Sequence, residues 1–369
     1  MSADHHRSHR ELLPDAHTGR SRPVDAVIVP AGRPATQLLH AAQLAADLPC
    51  RLLVMRSPSG DDLVPFAEQA AIRWPDLEWR HLVVPEAFTH PLLPATASPT
   101  SDSRDWRHGP LSTMRNLALL MARMVGWQTV LLLDDDITGL RARTVLRAAG
   151  GLERAAAVGF SVNWYPDNSV VCHANRLAGN RQGVFVGASA LVVDVSREFG
   201  FFPNIYNEDW LFLYDGLRSR RISRFGQARQ LEYDPFADPG RAAAEEFGEI
   251  IAEGLIAGLY TPSHRVLIPV DVGYWEEFLK TRQTYLERIA GRLARSVSTA
   301  ARRRALESLA AADERRLTVT PENCTHYVRS WRADLLRWRD DLAGLPTPVS
   351  FDTAAAYLGL ATNVVGLIA

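Results

Sequence analysis

Residues 129–133, TVLLL, run directly into three aspartates, Asp134, Asp135 and Asp136. Four consecutive large apolar side chains suit a strand covered on both faces, since one-sided burial would place a polar residue at every second position. Such a strand belongs in the middle of a helix-covered sheet, and the acids must then emerge at the sheet's edge. The preceding chain agrees. DAVIVP (25–30), CRLLVM (50–55) and EWRHLVVP (78–85) are predicted strands, and ATQLLHAAQLAADL (35–48) and DLVPFAEQAAIRW (62–74) carry apolar residues at helical spacing. LSTMRNLALLMARMVG (111–126) is an amphipathic helix leading into the acidic strand. Strand alternating with helix predicts an α/β fold with a mixed, mostly parallel central sheet, whose ligands gather at the carboxyl ends of the strands.

Residues 86–110, rich in Pro, Ser, Thr and His, read as a long loop. Beyond residue 150, AAAVGFSV (155–162), SVVCHA (169–174) and GVFVGASALVVDV (183–195) are predicted strands. From Ala242 onward helical patterns dominate, so residues 263–369 read as a helical appendage on a catalytic domain spanning 23–262. Residues 1–22 lack the apolar core of a signal peptide and read as a disordered, solvated tail. The apolar stretch 354–369 is predicted to be a helix docked on the body of the protein. Together these features point to a cytoplasmic protein, with peripheral membrane contact as the lesser alternative.

Composition narrows the chemistry. A net charge of -1 gives no electrostatic reason to expect nucleic acid as a partner. The three cysteines, Cys50, Cys172 and Cys324, are far apart and show no zinc-finger spacing. Lys280 is the chain's one lysine, which weighs against reactions that need that side chain elsewhere.

In an extended segment Asp134 and Asp136 would point to the same side. Two carboxylates held that close repel unless a cation neutralises them, and a hard divalent ion such as Mg²⁺ or Mn²⁺ shared with substrate phosphates fits. The competing structural explanation is an acidic turn that caps the next helix. In NIYNEDWLF (204–212), Glu208 and Asp209 lie among Tyr206, Trp210 and Phe212, a desolvating setting suited to a general base. They would equally serve as first-turn acids stabilising a helix dipole. Arg115 and Asn116 open the helix before the acidic strand, where an arginine is placed to grip a diphosphate.

The order VIVPAGRP, LSTMRNLALL, VLLLDDDI, VFVGASALVV, FFPNIYNEDWLFL resembles that of the GT-A fold glycosyltransferases, nearest to the family-two-like group and the glycerate or phosphoglycerate sugar transferases. The resemblance covers roughly residues 23–235. It implies a GT-A fold and transfer of a sugar from a UDP- or GDP-sugar to a hydroxyl acceptor, and it is compatible with a homodimer. It further implies that Pro30 and Arg33 line the nucleotide pocket and that Arg115, Asn116 and Asp135 contact the donor. Asp134 and Asp136 would be the DxD motif holding Mn²⁺ or Mg²⁺. Gly187, Ala188 and Ser189 would form the loop beneath donor sugar and acceptor, with Asp209 the base and Glu208 its neighbour. Two departures stand out. The second strand ends in VMRSPSGDD with no acid at its tip, leaving Asp61 or Asp62 to read the base. For the third metal ligand, Asp234 is preferred on spacing over His264.

LLLDDDIT also fits the strand-DxDxT pattern of haloacid-dehalogenase phosphatases, with Asp134 as nucleophile. That class needs a lysine, or less often an arginine, between this motif and the later acidic pair, and Lys280 falls after that pair. A nucleotidyltransferase and a non-catalytic sugar-nucleotide binder are the weaker alternatives, the first missing a second glycine and a lysine, the second having no reason to keep all the acids.

Overall fold

The computed structural model describes residues 8–14, 20–60, 62–97, 111–163, 165, 168–181, 183–260, 270–295, 299–360 and 364–365. The predicted opening strands and helices are present: β1 (Ala26–Ala31), α1 (Leu39–Asp47), β2 (Arg51–Arg56), α2 (Val64–Arg73), β3 (Trp79–Val83), α3 (Leu111–Val125) and β4 (Thr129–Leu133). They are followed by β5 (Ile137–Thr138), α4 (Ala142–Gly150), β6 (Ala157–Asn163), α5 (Val170–Leu177), β7 (Ala190–Asp194), α6 (Glu208–Arg218) and β8 (Ile222–Gln230). Four long helices come next, α7 (Pro239–Leu259), α8 (Val272–Ala294), α9 (Ala300–Arg316) and α10 (Pro321–Ala343), then α11 (Phe351–Tyr357) and β9 (Val364–Val365). Among the described residues, no helix is long and apolar enough to cross a membrane.

All nine strands form one sheet in the order β5-β8-β6-β7-β4-β1-β2-β3-β9. β1, β2, β3 and β4 run parallel, and β6 runs parallel to β8. The pairings β4-β7, β6-β7, β5-β8 and β3-β9 are antiparallel. The sheet is therefore mixed, with six strands sharing one direction and β5, β7 and β9 running against them, so that parallel and antiparallel pairings are equal in number.

Alternation along the strands sends neighbouring residues to opposite faces. Ile28, Met55, Leu132 and Leu191 join α3, α6 and α10 in one apolar cluster. Val27, Val54, Leu131 and Val192 join α1, α2 and α4 in another. Burial on both faces is why these strands read as unbroken apolar runs. The C-terminal helices are continuous with this core, since Trp275, Trp331 and Trp338 are buried in the same cluster as α3.

Three local expectations are corrected. Residues 170–177 are helical, not a strand: the Ser169 hydroxyl accepts from Cys172 N at 3.0 Å and caps the first turn. Of residues 183–195, only 190–194 form a strand, and 183–189 is a loop. The predicted C-terminal helix ends at Tyr357, and Val364–Val365 instead adds to the edge of β3. Part of the expected N-terminal tail is also structured. Residues 9–11 form a single turn in which His9 is fully buried against Phe185 and Trp210, its Nδ1 accepting from Val186 N at 3.1 Å. Burial pushes the His9 pKa down to about 3, so it stays neutral.

α7 carries a buried acidic stripe. Glu246, Glu249 and Glu253 all bind the guanidinium of Arg282, which is 0% exposed, and Glu245 pairs with Arg241 at 2.7 Å. Four carboxylates face two guanidiniums, and burial pushes the Glu245 and Glu246 carboxyls up to about 7, against the pull of Arg241 and Arg282. The folded protein thus binds more protons here than the unfolded chain does between the ordinary glutamate value of 4.5 and about 7. Stability from this group is complete below 4.5 and is lost as pH rises through about 7. In urea titrations from pH 4 to 8, wild type should lose up to roughly 3 kcal/mol relative to Glu245→Gln across this window. Parallel curves would mean that folding leaves the Glu245 pKa unshifted.

Candidate active site

The acidic triplet does not continue β4 in extended form. Asp134 N donates to Ser189 O at 2.8 Å and Ile137 N to Asp134 O at 3.0 Å, so the chain turns at Asp134 and the three carboxylates take different partners. Asp135 folds back onto the loop after β1, accepting from Gly32 N and Arg33 N at 2.8 Å each and from the Arg33 guanidinium at 2.6 Å. Asp136 takes the other arm of Arg33 at 2.8 Å and the Gln230 Nε2 at 3.1 Å. Asp134 pairs at 2.7 Å with Arg115, which also binds Glu208.

Arg115 ties the site together. It projects from the first turns of α3, is 3% exposed, lies over the Phe202 ring, and joins the acids of two other elements. Glu208 and Asp209 begin α6, where the helix N-terminus favours negative charge. Asp209 Oδ2 accepts from Ala188 N at 3.0 Å. A Cβ on Gly187 would sit 2.6 Å from that same oxygen, so the loop's close approach to Asp209 depends on glycine there. Burial raises the pKa of both Glu208 and Asp209, and their mutual repulsion adds to this for Glu208, while Arg115 draws both down.

These groups line one cleft of about 840 Å³ at the carboxyl ends of β1 and β4. Pro30, Arg33, Arg115, the three aspartates, Gly187, Ser189, Glu208 and Asp209 all face it. Three expected residues do not. Asn116 is fully buried and braces the backbone of Phe202 through both amide atoms at 2.8 Å. Ala188 contributes its backbone N–H rather than its side chain. Asp234 is placed elsewhere: it lines a second, open hollow with Tyr165, His173 and Tyr233, and pairs with Arg304 at 2.9 Å. His264 and Asp61 lie outside the described residues. Asp62 accepts from Val64 N, at the start of α2, at 3.0 Å and does not line the cleft.

The cleft also contains residues that the motifs did not single out. Ser57, Ser59 and Glu86 line it beyond the tips of β2 and β3, and Gln230, Tyr233 and Arg241 line it on the side of β8 and α7. Glu249 and Glu253 of α7 reach it as well. The four-residue spacing of Glu245, Glu249 and Glu253 among Ala and Ile was the available signal for this acidic face.

Two groups suit a cation. Around Asp134–Asp136, five carboxylates (with Glu208 and Asp209) meet the two guanidiniums of Arg33 and Arg115, an excess of negative charge that a divalent ion would neutralise. Cys172, Glu249 and Glu253 bring ligand atoms within 4.8 Å of one another in a buried setting. Arg282 already lies 2.6 Å from Glu249 and 3.1 Å from Glu253, so this second group has a cation of its own.

No protein-family model matches the chain, and no curated protein matches it in sequence. Among solved structures, a mannosyltransferase from Pyrobaculum calidifontis, PcManGT, in complex with GDP-Man and Mn²⁺, is similar at 14% identity over 96% of this chain and 91% of its own, with a TM-score of 0.40. A protein from Desulfovibrio desulfuricans G20 described as a nucleotide-diphospho-sugar transferase is similar at 9% identity over 73% of this chain and 99% of its own, with a TM-score of 0.32. At these values the likeness fixes neither substrate nor chemistry.

Removing the Arg115 guanidinium would strand two carboxylates in a largely dry site. Arg115→Met should therefore destabilise the fold by roughly 3–5 kcal/mol at neutral pH. Adding Glu208→Gln to it should restore part of that loss in urea unfolding. If the two substitutions simply add, the Arg115–Glu208 pair is not a coupled element of the site.

Proposed function

We propose that this protein is a glycosyltransferase that moves a sugar from a nucleoside-diphosphate donor to a hydroxyl acceptor with the aid of a divalent cation. The observation that supports this reading best is the meeting, in one cleft, of the aspartate turn after β4, the half-exposed Arg33, and the buried Glu208–Asp209 pair at the start of α6. Each serves a separate requirement of glycosyl transfer: neutralising a leaving diphosphate, gripping its oxygens, and accepting the acceptor's proton.

A divalent ion held by Asp134 and Asp136 would supply charge neutralisation at the leaving diphosphate. Arg115 holds Asp134 at the cleft through their ion pair. Arg33, whose side chain is nearly half exposed, is free to exchange its carboxylate partners for phosphate oxygens. Asp209 is held by the Ala188 N–H on one oxygen and takes the acceptor's hydroxyl proton, with its raised pKa strengthening it as a base. Glu208, fixed on Arg115, holds the first turn of α6 so that Asp209 stays against the Gly187–Ala188 loop. The donor's nucleobase would lie toward Ser57, Ser59 and Glu86, where the cleft offers hydroxyls and one carboxylate.

The phosphatase alternative gains nothing from the structure. Lys280 is 71% exposed on α8, pairs with Glu276, and lines neither hollow.

UDP- and GDP-sugars, tested by calorimetry and by nucleotide release with and without Mn²⁺, should bind and release nucleotide in a metal-dependent way. Asp136→Ala should abolish this. Asp209→Asn should keep nucleotide binding and lose about 10²- to 10⁴-fold in transfer or hydrolysis. In the wild type, turnover should fall as pH drops through the raised pKa of the Glu208–Asp209 pair, because the base becomes protonated. Hydrolysis of a simple phosphate ester without nucleotide binding would replace this reading with the phosphatase.

A further inference from the structure

Acidic, imidazole and thiol side chains are the commonest protein ligands of a divalent ion, and Asp234 is turned to the second hollow and paired with Arg304. Among the described residues, the one group of three such side chains with mutually close ligand atoms is Cys172, Glu249 and Glu253. A side-chain amide is also a hard oxygen ligand, and one is present. Gln230 ends β8, is 6% exposed, and lines the cleft with its amide against Asp136. Its Nε2 donates to Asp136 Oδ2 at 3.1 Å, while its Oε1 is buried without a hydrogen-bond partner. A buried carbonyl oxygen left unpaired costs free energy, so this one stands ready for a donor or a cation.

The backbone fixes this juxtaposition. Gln230 pairs with Ile137 across β5 and β8, and Leu231 N donates to Asp136 O at 3.0 Å. The side chains of residues 136 and 230 are therefore neighbours by sheet register rather than by loop placement. A half-turn of the amide about its last bond exchanges Nε2 and Oε1, leaving two oxygens 3.1 Å apart. That spacing repels in the absence of a cation. It is close to the roughly 3 Å that separates adjacent oxygen ligands around a small octahedral divalent ion. Arg33, which holds the same Asp136 oxygen at 2.8 Å from a side chain 47% exposed, has solvent to move into.

We propose that Gln230, and not Asp234, completes the cation site begun by Asp134 and Asp136, supplying a neutral amide oxygen; this rests on the glycosyltransferase reading above. A neutral third ligand leaves the protein site with less charge than three carboxylates would give. Binding of the ion should therefore lean on the donor's diphosphate.

The test is Mn²⁺ binding to the full chain, followed by the paramagnetic resonance signal of the free ion, with GDP and separately with UDP present. Gln230→Ala should weaken Mn²⁺ binding about tenfold or more, and Asp234→Asn should leave it at the wild-type value. Gln230→Glu keeps the size of the side chain and the ligand oxygen but loses the N–H donor, so it should bind Mn²⁺ at least as tightly as wild type. Thermal unfolding of each variant shows that it is folded. If Gln230→Ala binds Mn²⁺ as wild type does while Asp136→Ala does not, this inference falls and the function proposed above stands. If Gln230→Glu is as weak as Gln230→Ala, the N–H to Asp136 is what matters and the ligand role is overturned. A wild-type chain that takes up no Mn²⁺ with either nucleotide overturns both.

Discussion

A guanidinium buried between two carboxylates from different elements holds the cleft together. Arg115 comes from α3, Asp134 from the end of β4 and Glu208 from the start of α6, and the three meet where solvent is nearly excluded. Each alone would be costly in that setting, so the elements bearing them are fixed relative to one another by the charges they share. The apolar contacts of α3 with the sheet set where the arginine starts, and the ion pairs set where β4 and α6 end. The geometry of the cleft is thus an outcome of desolvated charge, with the sheet as its support.

The same logic recurs on the far wall. Arg282 gathers three glutamates of α7, while Glu245 is held by Arg241 and by Val170 N at the start of α5. Two dense charge clusters therefore face one cleft from opposite sides, both richer in carboxylates than in guanidiniums. Anionic ligands would be opposed by such walls, unless cations or protons accompany them. Arg33, Arg224 and Arg241 at the cleft surface are positioned to offset part of that field.

Much of this was legible in the sequence, for specific reasons. TVLLL followed by DDD announced a strand buried on both faces and an acidic edge, because periodicity and hydropathy report burial directly. Glu208 and Asp209 stood out because acids among aromatics are rarely solvent-facing. What failed depended on non-local pairing. The direction of β7 is set by a partner far along the chain, so the even mixture of parallel and antiparallel pairs left no local trace. Val170, Val171 and Cys172 favour a strand by composition, yet the Ser169 cap and packing against α9 make them helical. Asp134 and Asp136 were expected to align by alternation, but the turn at residue 134 breaks that period. The nearness of Gln230 to Asp136 also went unseen, because it follows from the register of β5 against β8, and register cannot be read from one strand alone.

The turn at residues 9–11 has a consequence for the order in which the molecule is made. His9 fills a space between Phe185 and Trp210, and the Ser8 carbonyl accepts from the Tyr260 hydroxyl. Residues 8 and 9 therefore find their full seat only after residue 260 has been made, a delay on the order of tens of seconds at ordinary translation speeds. Meanwhile β1 to β4 are already available, yet the layer of α6, α7 and α10 that covers one of their faces is not complete. Until α10 has been made, α3 and whichever of α6 and α7 have followed it are the partial cover of that face, and the wall that α7 gives the cleft forms only after residue 259.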